Sequence, residues 1–443
     1  MNRHRVGLAV AGLVISCFAA CGGGGESQPG NPTPPPPSTF KESSPDASGT
    51  VETFSQTQVD TSSPFFTQLG TNNRTCSSCH VASDGWSINP TDLQQRFQST
   101  QGTDPVFRVV DGANCPSADV STFAAATVAY SQLLNFGLIR MTLPVPANAE
   151  FSIVSITDPY QCPETTVTQP ALYRRPLPST NLKFLNGIMW DGREPDLKTQ
   201  ALDATMVHTA PTTPPTDAQL TQIVSLETSL FTAQSVDNLA GDLTAQGANG
   251  GPVFLSTQPF SPGINSGAGF TPNVFTLYTG WASASGANAA AQQSVARGEV
   301  LFNTFPMQIS VVPGFNDVQG QPVITGTCTT CHNTPNVGGD SLPDMMNIGT
   351  SSPTANLPSY LIHCNDGTQL VTTDPGRAMV TGKCADLSKF KIPGMRGLAA
   401  RAPYFHNGTA ATLLDVVNFY DQRFNMLLTD DQKADLVAFM STL

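Results

Sequence analysis

The sequence predicts a mainly α-helical fold of two small helical domains with long irregular loops, behind an N-terminal leader and a flexible linker. The first observation is the motif C-x-x-C-H, which occurs as CSSCH at residues 76–80 and again as CTTCH at residues 328–332. The second is helical periodicity of apolar residues in both halves of the chain. The third is composition: 37 Gly and 36 Pro among 443 residues favour irregular connections, while 39% hydrophobic residues suffice for buried cores.

The balance of charge excludes several classes of partner. The chain has 21 Lys and Arg against 33 Asp and Glu, a net charge of −12. Nucleic acids and anionic membrane surfaces are bound by clustered cationic residues. We therefore expect no nucleic-acid partner, and an acidic surface that suits a basic partner protein.

Residues 1–20 have the pattern of an export signal. A short basic start, MNRHR, precedes an apolar stretch that is too short to span a bilayer comfortably. The segment FAAC resembles a bacterial lipobox, which predicts a lipidated Cys21, and a signal peptide cut near Ala20 is the alternative. Gly22 stands where an inner-membrane retention signal has Asp, which favours the outer membrane.

Residues 21–55 are rich in Gly, Pro and Ser and lack apolar periodicity, which predicts a flexible linker. No later segment reaches the roughly 18 uninterrupted apolar residues of a membrane helix. The sequence thus predicts a periplasmic protein that touches the outer membrane only through the lipid on Cys21.

C-x-x-C-H is the attachment signature of c-type haem, in which two thiols form thioethers and the histidine binds the iron. A four-cysteine zinc ribbon is the alternative, but it leaves both histidines unexplained and fits poorly with export. The predicted attachment cysteines are Cys76, Cys79, Cys328 and Cys331, and the predicted iron ligands are His80 and His332.

Four further cysteines are expected to form disulfides in an oxidising compartment. Proximity favours Cys115 with Cys162 and Cys364 with Cys384, although four cysteines allow three pairings. The first pair lies in a long stretch between the two motifs, which predicts a disulfide-stapled insert.

The predicted division places an N-terminal haem domain at residues 56–285 and a C-terminal haem domain at residues 286–443. In the second domain, residues 290–304 and the segment TLLDVVNFY have helical patterns. A third helix is predicted after Thr429, which is spaced from Gln432 as in a capping box.

In combination, CSSCH, WDGRE at residues 190–194, CTTCH, the PYFHNG-containing segment 389–408 and TLLDVVNFY resemble the bacterial di-haem cytochrome c peroxidase and MauG-like family. The resemblance covers residues 60–443. It implies two cytochrome c-like haem domains. It also implies that hydrogen peroxide is reduced, or used as an oxidant, at the N-terminal haem, with electrons relayed through the C-terminal haem.

The resemblance assigns roles to residues near the first haem. Trp190 matches the tryptophan that bridges the two haems, and Gln200 matches a glutamine that points into the peroxide pocket. The family's acid–base glutamate is replaced by Ala210. His208 lies on the same predicted helical face as Gln200, so an imidazole is expected to take over proton transfer, although His208 is equally consistent with a surface or core histidine.

The first haem is expected to be open on its distal side. Family members that need reductive activation carry a distal histidine soon after the haem histidine, whereas His80 is followed by no histidine until His208. Met141 and Met189 are alternative sixth ligands of the first haem. Methionine is, however, more often a core residue than an iron ligand.

At the second haem, the resemblance implies an axial ligand fourteen residues after His406, which is Tyr420. Tyrosine at this place is typical of the MauG-like branch, and methionine of the peroxidase branch. Met426 and Met395 are the alternative ligands, in which case Tyr420 is a core residue.

The resemblance also implies supporting residues. Arg193 and Arg396 are expected to pair with haem propionates, and His406 to support propionates or the loop around it. Relatives often bind calcium through the carbonyls of a Thr-x-Pro segment, which here reads Arg-Ala-Pro at residues 401–403. The arginine side chain argues against calcium, although the carbonyls remain able to serve.

Three functions are compatible with these features. The preferred one is a haem peroxidase or peroxide-dependent oxidase whose electron donor is a small periplasmic cytochrome or cupredoxin. An electron-transfer lipoprotein without enzymatic activity is the first alternative, and an oxygenase is the second. Relatives often form dimers, and the resemblance therefore also implies a homodimer.

Overall fold

The computed structural model describes residues 39–261, 271–339 and 345–443. The predicted signal peptide and the predicted lipidation site at Cys21 lie outside these residues. Within the described part, no helix has both the length and the apolarity needed to cross a bilayer.

Runs of helices and runs of strands follow one another along the described chain. The α-helices are α1 (Pro90–Thr100), α2 (Phe123–Ala129), α3 (Ser131–Phe136), α4 (Leu197–His208), α5 (Asp217–Ser229), α6 (Gly251–Thr257), α7 (Ala289–Thr304), α8 (Cys328–Cys331), α9 (Ala378–Thr381), α10 (Leu413–Phe424) and α11 (Asp430–Ser441). The 3₁₀ helices are Cys76–Ser78, Ala82–Asp84, Leu182–Phe184, Ala245–Gly247, Thr279–Ser283, Cys384–Asp386 and Leu398–Arg401. The strands are β1 (Phe40–Pro45), β2 (Gly49–Ser55), β3 (Ile139–Thr142), β4 (Phe151–Thr157), β5 (Ala171–Arg174), β6 (Phe231–Asp237), β7 (Gly241–Asp242), β8 (Met307–Ser310), β9 (Val323–Gly326), β10 (Ser359–Cys364) and β11 (Gln369–Thr372).

The strands form four antiparallel sheets within the described residues, with orders β1-β2-β6-β7, β11-β10-β4, β3-β5 and β8-β9. The expectation of a mainly α fold is corrected by these sheets. Short strands such as β4, with the sequence FSIVSIT, carry a period-2 pattern that helical periodicity does not reveal. The sequence predicts a linker up to residue 55, but its last part, residues 40–55, contains strands β1 and β2. Strand β2 is held in place because it pairs with β1 on one edge and with β6 on the other.

The three helices predicted in the second half are confirmed as α7, α10 and α11. The side chain of Thr429 accepts a hydrogen bond from the backbone N–H of Gln432, which is the predicted capping box. Helices α7 and α11 pack so closely at Gly298 that a Cβ atom there would clash with the backbone of Asp435. The largest apolar cluster forms around these helices and includes Phe302, Phe439 and the attachment cysteines of the second motif.

The segment between the two motifs is bound to the second half of the chain. Strand β4 comes from this segment and pairs with β10, which follows the second motif. In the structure Cys115 is bonded to Cys162, and Cys364, at the end of β10, is bonded to Cys384. The predicted insert therefore packs against residues of the C-terminal half.

The β4–β10 pairing predicts a stability difference between two adjacent residues. Ile153 is 5% exposed in the core of this sheet, whereas Val154 faces outward and is 46% exposed. Replacing Ile153 by alanine is expected to lower the free energy of unfolding by about 2–5 kcal/mol, because buried contacts are lost. The control Val154→Ala is expected to cost less than about 1 kcal/mol. Equal losses in chemical unfolding would contradict the placement of this strand.

Candidate functional site

The first motif presents its histidine with a defined orientation. Cys76 begins a 3₁₀ helix capped by Thr75, and Cys76 and Cys79 carry free thiols. The Nδ1 atom of His80 lies 2.9 Å from the carbonyl oxygen of Trp86. A hydrogen bond at Nδ1 leaves Nε2 as the nitrogen for a metal. Burial lowers the pKa of His80, which favours the neutral ring that a metal requires.

The second motif repeats this construction. Helix α8 is capped by Thr327, and the Nδ1 atom of His332 lies 2.6 Å from the carbonyl oxygen of Gly338. In both motifs the orienting carbonyl comes six residues after the histidine. Burial also lowers the pKa of His332. Both motifs thus have the two thiols and the oriented imidazole that attachment of a c-type haem needs.

A large cavity of about 1690 Å³, counted with the solvent space at its mouth, opens beside the second motif. Its wall is mostly apolar, which suits the faces of a porphyrin. The second motif supplies Cys328, Cys331 and His332 to the wall, and α10 and the loop after it supply Val417, Tyr420 and Met426.

Three arginines at or beside this cavity, of which Arg175 and Arg396 are buried and Arg401 is half-buried, test whether an anionic cofactor fits. Arg175 and Arg401 line the cavity, and Arg396 lies in a smaller adjoining pocket. Within the described residues, none of the three forms an ion pair with a carboxylate. Burial, with the charge of Arg401, lowers the pKa of Arg175 to about 9. The Nη2 atom of Arg396 has no hydrogen-bond partner in the part of the chain that the structure describes. Buried cations without counter-ions fit the propionates of a haem.

The two arginines predicted to pair with haem propionates, Arg193 and Arg396, have different partners in the structure. Arg396 is buried, and its Nη2 atom has no partner among the described residues. Arg193 instead pairs with Asp191 at 2.9 Å and approaches Glu194 at 3.6 Å. Sequence reasoning missed Arg175, and the signal that marks it is a pair of consecutive arginines at the end of the buried strand β5.

The candidate axial ligands of the second haem all face one cavity. Tyr420, Met395 and Met426 line it together. Burial raises the pKa of Tyr420 above its ordinary value. The geometry thus keeps all three as candidates for the sixth position.

Trp190 and His406 also line this cavity, with ring centroids 6.2 Å apart. The indole N–H of Trp190 donates to the carbonyl oxygen of Arg175 at 2.7 Å, which fixes the ring. His406 is stacked on Phe390 with centroids 4.0 Å apart, and burial lowers its pKa to about 4. His406 is therefore neutral at physiological pH and packs between aromatic rings.

Helix α4 carries the residues predicted for the peroxide pocket. The helix begins at the cap Asp196 and ends at His208, and Gln200 and His208 are both partly exposed. The Nδ1 atom of His208 lies 2.6 Å from Oδ2 of Asp111. The side chains of Asn72 and Arg74, which precede the first motif, donate to the carbonyl oxygen of His208 at 2.8 and 3.3 Å. The structure thus brings His208 to the region of the first motif.

The implied calcium carbonyls are already engaged. The Nη2 group of Arg175 donates to the carbonyl oxygen of Arg401 at 3.0 Å and approaches that of Ala402 at 3.4 Å. The positively charged guanidinium of Arg175 thus occupies the position in which the resemblance implies a calcium ion. Within the described residues, no cluster of three or more His, Cys, Asp or Glu side chains is arranged for a metal.

The alternative sixth ligands of the first haem, Met141 and Met189, lie in two different parts of the structure. Met141 belongs to β3 and packs against the core beneath β4 and β10. Met189 has a positive φ of 66° in the turn before Trp190.

Glu227, on α5, is a buried carboxyl group that sequence reasoning missed. The residue is 6% exposed, and its Oε2 atom has no hydrogen-bond partner among the described residues. Burial, followed by the charge of Glu227, raises the pKa of Cys76. Glu227 thus lies near the first attachment site. Burial also raises its own pKa to about 8.

This raised pKa predicts a dependence of stability on pH. The folded state keeps a proton on Glu227 that the unfolded state releases above about pH 4.5, so the free energy of unfolding should fall between about pH 4.5 and 8. Glu227→Gln is expected to remove this fall and to be more stable than the parent at pH 8 by more than about 1 kcal/mol. Urea unfolding at several pH values measures this free energy, with a variant of the exposed Glu164, Glu164→Gln, as the control. If the free energy of unfolding of the parent and of Glu227→Gln changed with pH in parallel, the prediction would be wrong.

Comparison with known proteins supports the haem assignment. No protein-family model matches the chain. The cytochrome c551 peroxidase of Nitrosomonas europaea is 33% identical over 132 residues, which cover 29% of this chain and 34% of that protein. The cytochrome-c peroxidase IdrP2 of Denitromonas iodatirespirans is 30% identical over 148 residues, 28% of this chain and 38% of that protein. The cytochrome c551 peroxidase of Pseudomonas aeruginosa is 31% identical over 117 residues, 26% of this chain and 30% of that protein.

The chain thus spans about a third of the length of the curated relatives it matches. Among solved structures, a MauG-like protein associated with microbial copper homeostasis is similar with a TM-score of 0.34 and 16% identity, over 61% of this chain and 73% of that one. A likeness at that level carries no conclusion about this chain. The sequence relatives support the predicted resemblance: over the matched 117 to 148 residues, this chain is similar to bacterial cytochrome c peroxidases.

Proposed function

We propose that this protein is a di-haem peroxidase that reduces hydrogen peroxide, or uses it as an oxidant, at an open first haem, with electrons relayed through the second haem. In the reduction, one hydrogen peroxide takes up two electrons and two protons and becomes two waters. The electrons come from a small periplasmic electron-donor protein, either a cytochrome or a cupredoxin. The net charge of −12 favours a basic donor.

A bound c-type haem supplies an iron that binds peroxide and exchanges electrons. The protein's own contribution at the first site is orientation and proton transfer. Cys76 and Cys79 hold the group, and the carbonyl of Trp86 orients His80 so that Nε2 is its free nitrogen. His208 supplies an imidazole for moving a proton, in place of the carboxylate that Ala210 lacks.

The observation that carries this proposal is the hydrogen bond between His208 and a buried carboxylate near the first motif. A pure electron carrier has no need of an oriented, partly exposed imidazole there. At the second site, Cys328, Cys331 and His332 would hold the group, and Tyr420 is the proposed further iron ligand, with Met395 and Met426 in the same cavity. Trp190, fixed by Arg175, is the proposed bridge between the two sites.

The division into haem domains at residues 56–285 and 286–443 remains part of this proposal. So do the periplasmic location, the lipid anchor at Cys21, the outer-membrane address and the formation of a homodimer. The relatives are named cytochrome c peroxidases, which supports the enzymatic assignment.

The experiment is electron paramagnetic resonance of the purified ferric protein before and after hydrogen peroxide. An open first haem is expected to give a high-spin ferric signal that disappears with peroxide. A Cys328→Ala Cys331→Ala variant, which lacks the second attachment site, is expected to keep the high-spin signal, and Cys76→Ala Cys79→Ala to lose it. If both the ferric and the half-reduced protein leave peroxide unchanged, the alternative of a non-enzymatic electron-transfer lipoprotein replaces this proposal.

A further inference from the structure

Asp111 is a buried carboxylate between Arg74 and His208, in the loop between α1 and α2. Its side chain is 2% exposed, and one of its oxygens lies 2.6 Å from the Nδ1 atom of His208. The Nη1 group of Arg74 lies 2.6 Å from the same carboxylate and is equally buried. His208 is 34% exposed, so Asp111 contacts the inner edge of a ring whose remainder reaches solvent.

Arg74 fixes this carboxylate in place. Besides the ion pair, its guanidinium donates to the carbonyl oxygens of Pro105 at 3.0 Å, Val106 at 2.7 Å and His208 at 3.3 Å. Arg74 therefore connects the loop that carries Asp111 to the end of α4. It also stands two residues before Cys76, at the start of the first motif.

The charges in this cluster set the state of Asp111. Burial alone would favour the protonated acid, but the hydrogen bond with His208 and the charge of Arg74 outweigh it and hold the pKa of Asp111 below its ordinary range. Asp111 is therefore a carboxylate at neutral pH, and a carboxylate accepts only. The Nδ1 atom of His208 must then carry the proton of the shared hydrogen bond.

We propose that Asp111 is the positioning residue for His208, which it holds as the tautomer protonated at Nδ1 so that Nε2 is free to accept a proton from peroxide. The inference rests on the proposed peroxide reaction at the first haem. His208 takes a proton from one oxygen of hydrogen peroxide and gives it to the other, which leaves as water when the O–O bond breaks. The remaining oxygen becomes the second water with two electrons from the donor protein and two protons from solvent. Asp111 itself neither gains nor loses a proton, because the adjacent Arg74 keeps it ionised.

The test uses cyanide, because hydrogen cyanide must also lose a proton to a base before it binds ferric haem. The association rate of cyanide with the ferric protein reports proton acceptance without turnover. Asp111→Asn is expected to lower this rate by about ten- to hundredfold, because an amide no longer enforces the tautomer. His208→Ala is expected to lower it by at least as much.

The double variant distinguishes positioning from a structural role. If Asp111 acts through His208, Asp111→Asn is expected to have no further effect when His208 is already alanine. The matched control is Asp104→Asn, which breaks the ion pair with Arg96 in the same loop without touching His208. This control is expected to bind cyanide at the parental rate. Haem content and thermal unfolding are measured for every variant, and Asp111→Glu, which restores a carboxylate, is expected to recover part of the rate.

Several outcomes overturn the proposal. Additive losses in the double variant would make Asp111 a structural residue. A parental cyanide rate in Asp111→Asn with a reduced rate in His208→Ala would refute Asp111 while leaving the proposed function intact. A low-spin first haem that becomes high-spin in His208→Ala would make His208 an iron ligand and refute the base. If the parent binds cyanide through His208 but ignores peroxide, the proposed function fails and the positioning role of Asp111 stands.

Discussion

Replacing His208 by alanine is expected to slow the reaction of the protein with hydrogen peroxide by about 10²–10⁴-fold, the usual contribution of a general acid–base group. His208 is the imidazole that the structure holds near the first motif, through its 2.6 Å contact with Asp111. Position 210, two residues after the end of α4, is alanine and offers no carboxylate for this role. Stopped-flow absorbance in the Soret band measures the rate.

The matched control is His363→Ala. His363 lies on β10, paired with Gln369 and Ser152, in the sheet that joins the insert to the second half. This variant is expected to react with peroxide at the parental rate. Parental kinetics in His208→Ala, with normal haem content, would transfer the proton-moving role to another group.

Replacing Arg175 by alanine is expected to lower the free energy of unfolding by about 2–3 kcal/mol, because carbonyl oxygens lose a charged donor. The guanidinium is buried and donates to the carbonyl oxygens of Phe136 at 2.8 Å, Ile88 at 2.7 Å and Arg401 at 3.0 Å. Without it, these buried carbonyls lose their partner and the cavity of the second site loses a cation. Chemical unfolding measures the stability, and the covalent haem content of the second site should fall as well.

A solvent-exposed ion pair provides the control for Arg175. The side chain of Lys198 is 41% exposed and pairs with Asp217, which is 83% exposed. Lys198→Ala is expected to cost less than about 1 kcal/mol, because such pairs are screened by water. If Arg175→Ala were as mild as Lys198→Ala, Arg175 would not be a structural cation of this cavity.

Arg175 also shows what the segment between the motifs contributes. It follows directly on β5, in the predicted insert, yet it contacts residues 401 and 402 near the end of the chain. The β4–β10 pairing binds the same segment to the second half. The insert therefore helps to build the wall of the cavity beside the second motif. It also contains the loop that holds Asp111 beside His208.

The sequence by itself determined the chemistry that depends on local spacing. C-x-x-C-H places two thiols and an imidazole within one turn, so the attachment sites could be read without a fold. The helix beginning at Thr429 was predictable for the same reason, because a capping box is satisfied within four residues. The relation to the cytochrome c peroxidases follows from such local motifs.

Only the tertiary structure decided the contacts between distant residues. Asp111 and His208 are 97 positions apart, and Arg175 and Arg401 are 226 apart, so no periodicity or spacing connects them. The sheets depend on partners of the same kind, since β4 gains its hydrogen bonds from β10 about two hundred residues later. Hydrogen bonds and ion pairs require proximity in space, and the chain reaches that proximity only when packing has fixed its path.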